Sequence, residues 1–304
     1  MSIAKRSDTF RAAVLYGAIW SVCVAYLASR GGNFLFPISS LILFGIVLTG
    51  VAIFLTRKTA APPVPVARPR VESLAILAYL VIYAAVFFGP LSGWIRNAVP
   101  AGSSRELTVL AYKLVVHLAL PALLIKVVGG SLSGIFDGGL KRRGVLVTLA
   151  AFCVLMIVVV GLLNSIFEQL AARGLSTPAV AGWLLAAWAW MSVEVGVTEE
   201  FLFRGLLQSR LTAWIGSAPF AIVATAIVFA LVHVPAFYLR GGEEVAKQAA
   251  NLPQIIALTI AALGPIGIML GTLWHRTRSF LLMVLVHGAI DTMPNIEKMI
   301  RIWS

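Results

Sequence analysis

The chain has 304 residues, of which 60% are hydrophobic and only 12% are charged, and its mean hydropathy is +0.95. This composition excludes an ordinary soluble domain, whose surface is largely polar, and it indicates a chain that faces lipid. The net charge of +12 could suggest a nucleic-acid partner, but the basic residues lie mainly between apolar stretches, so we expect no nucleic acid.

Apolar stretches that approach or exceed the length needed to cross a hydrocarbon core, about 20 residues, recur along the chain. We predict nine spans, at residues 10–29, 34–55, 74–89, 107–128, 145–163, 178–207, 219–239, 253–273 and 280–294. The fold class is therefore all-α, a polytopic transmembrane helical bundle of about 8 to 9 spans.

Four prolines lie between the second and third spans, at residues 60–70, a composition that favours an extended linker. We predict three parts in the chain: a two-helix N-terminal membrane extension at residues 1–59, the Pro-rich linker at 60–70, and a main domain at 71–304.

Basic residues between the spans predict an orientation. With the N-terminus in the cytoplasm and a change of side at each span, the cytoplasmic side receives most of them, including Lys5, Arg6, Arg11, Arg57, Lys58, Lys141, Arg142 and Arg143. Because cytoplasmic loops are enriched in Lys and Arg, we predict a multi-pass cell-membrane protein with a cytoplasmic N-terminus.

Small residues in the apolar spans receive a structural interpretation. Gly267 and Gly271 form a G-x-x-x-G pair in the eighth span, a pattern typical of close helix packing. Cys23 and Cys153 each lie inside a span, where a thiol is usually a small packing group.

Two adjacent carboxylates, Glu199 and Glu200, lie inside the sixth span. A charged side chain near the middle of a membrane helix costs roughly 2.5 to 3.5 kcal/mol, so other groups must compensate. Glu200 precedes Arg204 by four residues, the spacing at which an ion pair forms along one helix face. Glu199 has Phe203 at that spacing, which leaves its carboxylate available as a general base. We predict that Glu200 is structural and Glu199 is reactive.

The compensating groups lie downstream in the chain. Folding the sixth and seventh spans back on each other about residues 216–219 brings His233 to within about 4.5 Å of the depth of Glu199. His287 and Asp291 are four residues apart and share a helix face. The sequence therefore predicts one polar site between three helices.

Three motifs together carry a family resemblance: Glu-Glu-x-x-x-Arg at 199–204, Phe-x-x-x-His at 229–233 and His-x-x-x-Asp at 287–291. They resemble the motifs of the CPBP intramembrane proteases, which include the type II CAAX prenyl endopeptidases and bacterial bacteriocin-processing or immunity proteins. The resemblance covers about residues 178–294. No GxSG or GxGD motif of other intramembrane protease classes is present.

The resemblance implies hydrolysis of a peptide bond in a membrane-associated protein or peptide, within or at the edge of the lipid bilayer. In it, Glu199 and His233 activate water, and His287 and the residue at 291 stabilise the oxyanion. Many relatives have Asn at the last position, whereas an ionised Asp291 can only accept a hydrogen bond. Asp291 is therefore expected to orient His287, to stay protonated, or to bind a metal.

The sequence leaves undecided whether the protein uses a metal cofactor. Glu199, His233, His287 and Asp291 are side-chain types that bind a divalent metal such as Zn²⁺, although the H-E-x-x-H pattern is absent. We predict a glutamate mechanism without a cofactor, with a metal-dependent form of the same protease as the alternative. A proton-coupled transporter or a non-catalytic membrane scaffold is the other alternative, but no inverted repeat is visible in the sequence.

Three further polar residues lie within apolar spans. Lys113 and His117 share a face of the fourth span, and we predict that they lie at the membrane interface or snorkel to it. Glu194 is expected either to line the same cavity as Glu199 or to satisfy a neighbouring hydroxyl group.

Overall fold

The computed structural model describes residues 3–140, 143–163, 165–240 and 251–304, and no strand occurs among them. The protein is 84% helical, which confirms the all-α prediction. The helices of the described ranges are α1 (Ile3–Ser29), α2 (Leu35–Leu55), α3 (Pro69–Ala98), α4 (Ser103–Val127), α5 (Arg143–Leu163), α6 (Ile166–Ala172), α7 (Thr177–Ile215), α8 (Ala218–Arg240), α9 (Leu252–Thr277) and α10 (Phe280–Trp303). Lys141 and Arg142 of the predicted basic cluster lie outside the described residues.

Within the described residues, 8 helices are long and apolar enough to cross a membrane, namely α1 to α5 and α7 to α9. The predicted ninth span falls in α10, which includes His287, Asp291 and a polar C-terminal half and is therefore less apolar. α7 continues for 39 residues, beyond its predicted end. It ends at Ile215 because Gly216, with a φ of +73°, adopts the left-handed conformation that terminates a helix.

Helix α9 forms the centre of the bundle and packs along α8, with α1 and α2 on its other sides. The predicted role of the G-x-x-x-G pair in packing is confirmed. A Cβ atom added at Gly267 would lie 2.9 Å from Ala226 of α8, and one at Gly271 would lie 3.1 Å from the side chain of Ile222. The two glycines allow α8 and α9 to approach closely.

The first two helices pack against the same central helix. The Tyr16 hydroxyl of α1 donates a hydrogen bond to the Ile260 carbonyl oxygen at 3.2 Å. The Ser40 hydroxyl of α2 donates one to the Ala262 carbonyl oxygen at 2.6 Å. The division of the chain at residues 60–70 stays a prediction, but α1 and α2 are joined to the rest of the bundle by buried contacts.

A buried ion pair joins α3 to α7. Arg210 Nε lies 3.1 Å from Glu72 Oε2, and neither side chain is exposed. The Arg210 guanidinium also donates to the carbonyl oxygens of Gly205 and Ser131. Because the two charged side chains are fully buried, the pair depends on its geometry and on these additional hydrogen bonds for its stability.

Contacts between helix ends fit the predicted alternation of sides. The Ser217 hydroxyl before α8 donates to Asp8 of α1 at 2.7 Å. Arg276 near the end of α9 donates to the Thr56 hydroxyl just after α2 at 2.6 Å. All four residues lie at or next to helix ends that the predicted alternation assigns to the same side of the membrane. Which face is cytoplasmic stays a prediction.

Candidate active site

The two adjacent glutamates lie where the backbone of α7 changes its hydrogen bonding. Residues Ser192–Val197 and Phe201–Gln208 form π-helical segments, in which each N–H bonds to the carbonyl five residues earlier, and Thr198–Glu200 lies between them. Such segments are frequent at functional sites because they alter the direction in which successive side chains point. The local backbone therefore gives Glu199 and Glu200 separate surroundings.

Glu200 is fully buried and is held by two partners. Its Oε1 atom lies 2.8 Å from Arg204 Nη1, which confirms the predicted ion pair. The same oxygen accepts a hydrogen bond from His287 Nδ1 at 2.6 Å. The Arg204 guanidinium also lies over the Phe229 ring, 4.8 Å from its centroid. Glu200 thus joins α7 to α10 and positions the His287 ring.

Asp291 lies beside His287, but another carboxylate makes the shorter contact to the ring. Orienting His287 was one of three roles expected of Asp291, and the carboxylate that bonds His287 Nδ1 is Glu200. Asp291 Oδ2 lies 3.5 Å from His287 Nε2, and its side chain is 30% exposed. Four-residue spacing within α10 identified a neighbour of the ring, and the shorter contact to the ring comes from another helix, so an orienting role for Asp291 stays a prediction.

Glu199 is 9% exposed and faces the other nitrogen of the same ring. Its Oε2 atom lies 4.0 Å from His287 Nε2. That separation exceeds a direct hydrogen bond, and it is a distance at which a bridging water or a reacting oxygen must be considered. Glu199 also lies close enough to His233 and His287 for electrostatic interaction with both.

His233 is partly buried and is surrounded by aromatic rings. Its Nδ1 atom lies 2.7 Å from the Phe229 carbonyl oxygen. Because a carbonyl oxygen only accepts, we assign the proton to Nδ1, which leaves Nε2 as an acceptor in the neutral ring. The Phe88 and Phe229 rings lie with their centroids 5.5 and 4.8 Å from the imidazole. No hydrogen bond joins His233 to Glu199 in the described part of the chain.

Two glycines bring α7 and α10 together at this site. A Cβ atom added at Gly288 would lie 2.7 Å from the backbone N and Cα of Ser192. One added at Gly196 would lie 3.0 Å from the Val284 Cα and would also meet the Val284 carbonyl oxygen. Only glycine allows this backbone approach, and the approach lets His287 reach Glu200.

A second cluster of polar side chains, which includes Lys113, His117 and Glu194, lies next to the cluster around Glu200, and its burial was not predicted. His117 is buried, so the prediction of an interfacial position for it was wrong. Its ring nitrogens lie 2.8 Å from the Tyr83 hydroxyl and 2.9 Å from the Lys113 carbonyl oxygen. Lys113 Nζ lies 3.0 Å from Glu194 Oε1, and Trp190 donates to the other Glu194 oxygen. Repeated polar residues at four-residue spacing in an apolar span were the signal that could have found this group.

The metal-dependent alternative names Glu199, His233, His287 and Asp291 as ligands. In the described ranges, no group of three His, Cys, Asp or Glu side chains is arranged to hold a metal ion. His287 Nδ1 is bonded to Glu200, and His233 Nδ1 to its own helix, so each ring could offer only Nε2. A metal-binding histidine commonly uses one ring nitrogen while the other donates to a carboxylate or a backbone carbonyl, so these two bonds do not decide between the two catalytic forms.

Comparison with known protein families agrees with the sequence motifs. Residues 181–293 match the model of the Rce1-like family, described as type II CAAX prenyl endopeptidase Rce1-like. The match confirms the predicted resemblance, and it includes Glu199, Glu200, Arg204 and the three downstream site residues. It supports an intramembrane endopeptidase in a multi-pass integral membrane protein. No curated protein and no solved structure gave a significant match.

Proposed function

We propose that the protein hydrolyses a peptide bond of a membrane-associated protein or peptide, with Glu199 as the general base that acts on water. The observation that carries this proposal is the division of labour between the glutamates. Glu200 Oε1 is engaged by Arg204 and His287, whereas Glu199 faces His287 Nε2 across 4.0 Å. One carboxylate builds the site and the other is available for proton transfer.

The chemistry follows from the acceptors that face the site. A water between Glu199 and the Nε2 of His233 meets two groups able to accept its protons. As the water oxygen bonds to the substrate carbonyl carbon, Glu199 takes one proton and the carbonyl oxygen becomes an oxyanion. When the carbon–nitrogen bond breaks, the proton passes from Glu199 to the leaving amine, which restores the carboxylate.

His287 supplies the group that stabilises the oxyanion. Because its Nδ1 hydrogen is bonded to Glu200, its Nε2 can donate a hydrogen bond only when the ring is an imidazolium. The Glu200 carboxylate beside the ring is the counter-ion for that charge. Donors placed in advance at a buried site contribute strongly to stabilising a developing oxyanion. An ionised Asp291 cannot donate a hydrogen bond to the oxyanion, so its carboxylate lies beside His287 Nε2 without stabilising the oxyanion itself.

The substrate class that we propose is a C-terminal tail that carries a prenylated cysteine. The description of the matching family supports it, since such tails end in a Cys-aliphatic-aliphatic-X sequence. A lipid-modified tail would be held at the bilayer, and two of the helices that carry site residues, α7 and α8, are long and apolar enough to cross it. The apolar surroundings of His233 would exclude bulk water from the reacting bond.

The test is cleavage of a farnesylated CAAX-type peptide by the purified protein in liposomes. We expect Glu199→Gln to lower kcat by about 100-fold or more, the usual range for loss of a general base. Glu168→Gln is the matched control because it neutralises an exposed glutamate on α6. Thermal unfolding of both variants should match that of the parent. A folded Glu199→Gln protein with more than about a tenth of the parental kcat would disprove the mechanism.

Chelation separates the two catalytic types. We propose the metal-independent form, so activity should be unchanged after treatment with a strong chelator. Loss of activity on chelation, with recovery on addition of Zn²⁺, would establish the metal-dependent alternative. A second peptide that carries a palmitoyl group in place of farnesyl tests the substrate class: equal cleavage of both would show that the prenyl group is not what the site recognises.

A further inference from the structure

A second cleft lies outside the candidate active site, where α2 ends and α5 begins. Its volume is about 640 Å³, which is within the range of small-molecule sites. It is lined by Phe54, Leu55, Arg57, Lys58, Thr59, Ala60, Gly144 and Val147. None of the six motif residues contributes to it.

The side chains that line this cleft carry positive charge and no negative charge. Arg57 and Lys58 are both exposed, and no Asp or Glu lines the cleft. In the part of the chain that the structure describes, neither cation forms an ion pair. The Arg57 guanidinium lies 4.4 Å from the centroid of the Phe54 ring, a cation–π contact that holds it at the end of α2. The cleft is thus suited to an anion.

The walls of the cleft are apolar and continue onto the outer surface of two spans. The Phe54 side chain is 59% exposed and that of Val147 is 47% exposed. They belong to α2 and α5, both long and apolar enough to cross a membrane. Exposed apolar side chains of such helices face acyl chains, whereas the cations directly after α2 lie at the headgroup level.

We infer that this cleft binds the phosphate group of an anionic phospholipid, with the acyl chains along Phe54 and Val147. Free phosphate has the same charge, but it would make no use of the apolar walls. Basic pockets between membrane helices are a recurring form of anionic headgroup site. The inference is independent of the proposed peptidase activity.

The test is native mass spectrometry of the full chain in a neutral detergent, titrated with phosphatidylglycerol and, in parallel, with phosphatidylcholine. We expect one phosphatidylglycerol to be retained. The double variant Arg57→Gln/Lys58→Gln should weaken its retention by about 30-fold, because each basic residue near an anionic lipid contributes roughly fivefold in affinity. Arg11→Gln/Lys126→Gln is the matched control, since it removes two exposed charges from α1 and α4 and should retain the lipid.

A second variant tests the cleft without removing charge. Val147→Trp narrows the cavity while both cations remain, and it should also reduce phosphatidylglycerol binding at least several-fold. Parental retention by either cleft variant would overturn the inference, and so would equal retention of phosphatidylcholine. Displacement of the lipid by millimolar inorganic phosphate would identify a phosphate site rather than a lipid site. Size-exclusion profiles establish that each variant is folded.

Discussion

Substitution of Gly288 by alanine tests whether the backbone contact between α7 and α10 sets the geometry of the site. The added Cβ would lie 2.7 Å from the Ser192 backbone. Carbon atoms pack at about 3.5 Å or more, so α10 must move away by roughly 0.8 Å. His287 is the adjacent residue, and its 2.6 Å bond to Glu200 would stretch beyond the normal hydrogen-bond range.

The expected loss of activity follows from that displacement. A misplacement of about 1 Å in a catalytic group can cost about 100-fold in rate. The overpacked contact should also lower the free energy of unfolding by about 1 to 3 kcal/mol. We expect kcat for the farnesylated peptide to fall between about 10- and 100-fold, measured per folded molecule in liposomes.

Gly182→Ala is the matched control because Gly182 lies in α7, the other helix of this contact, and a Cβ added there would meet no neighbouring side chain or helix within 4 Å. This variant should keep its activity and gain slightly in stability, since alanine favours a helix more than glycine does. A folded Gly288→Ala protein with parental kcat would refute the argument that the glycine contact positions His287 against Glu200.

Two further predictions concern ion pairs outside the catalytic group. Arg210→Met leaves the buried Glu72 carboxylate without its cation, so the free energy of unfolding in detergent should fall by about 3 to 5 kcal/mol; a fall below about 1 kcal/mol would contradict the structural role of the pair. The Arg173 guanidinium, which donates to Glu297 at the surface, holds the pKa of that carboxyl below its usual value. A lowered carboxyl pKa stabilises the fold above the unfolded-state pKa, and this contribution is lost as pH falls through the folded-state pKa. Arg173→Gln should therefore lower the Tm slightly at pH 7 and not at a pH below both pKa values; an equal loss at both pH values would show that the effect is not electrostatic.

Several parts of the molecule followed from the sequence alone. Runs of apolar residues predicted the membrane-spanning helices, and Gly216 and Pro219 predicted the turn between α7 and α8. Four-residue spacing predicted the Glu200–Arg204 pair. These features depend on residues that are close together in the chain, so composition and helical periodicity were sufficient to find them.

Other contacts could be recognised only in the folded molecule. The bond between Glu200 and His287 joins residues that are 87 positions apart. No local pattern distinguishes His287 from any other polar residue that Glu200 could meet. By spacing, the partner expected for His287 was Asp291. The contact between His117 and Tyr83 was hidden for the same reason, since it joins residues 34 positions apart.

The sequence by itself determined that this is a helical membrane protein with a cluster of buried polar side chains in three motifs. The tertiary structure decided which of those side chains meet. Contact between helices depends on their rotation and separation, and here these are set by the π-helical segments of α7 and by the approach of Gly196 and Gly288 to the opposite backbone. Hydropathy and spacing specify the face of a helix, but only packing specifies what that face touches.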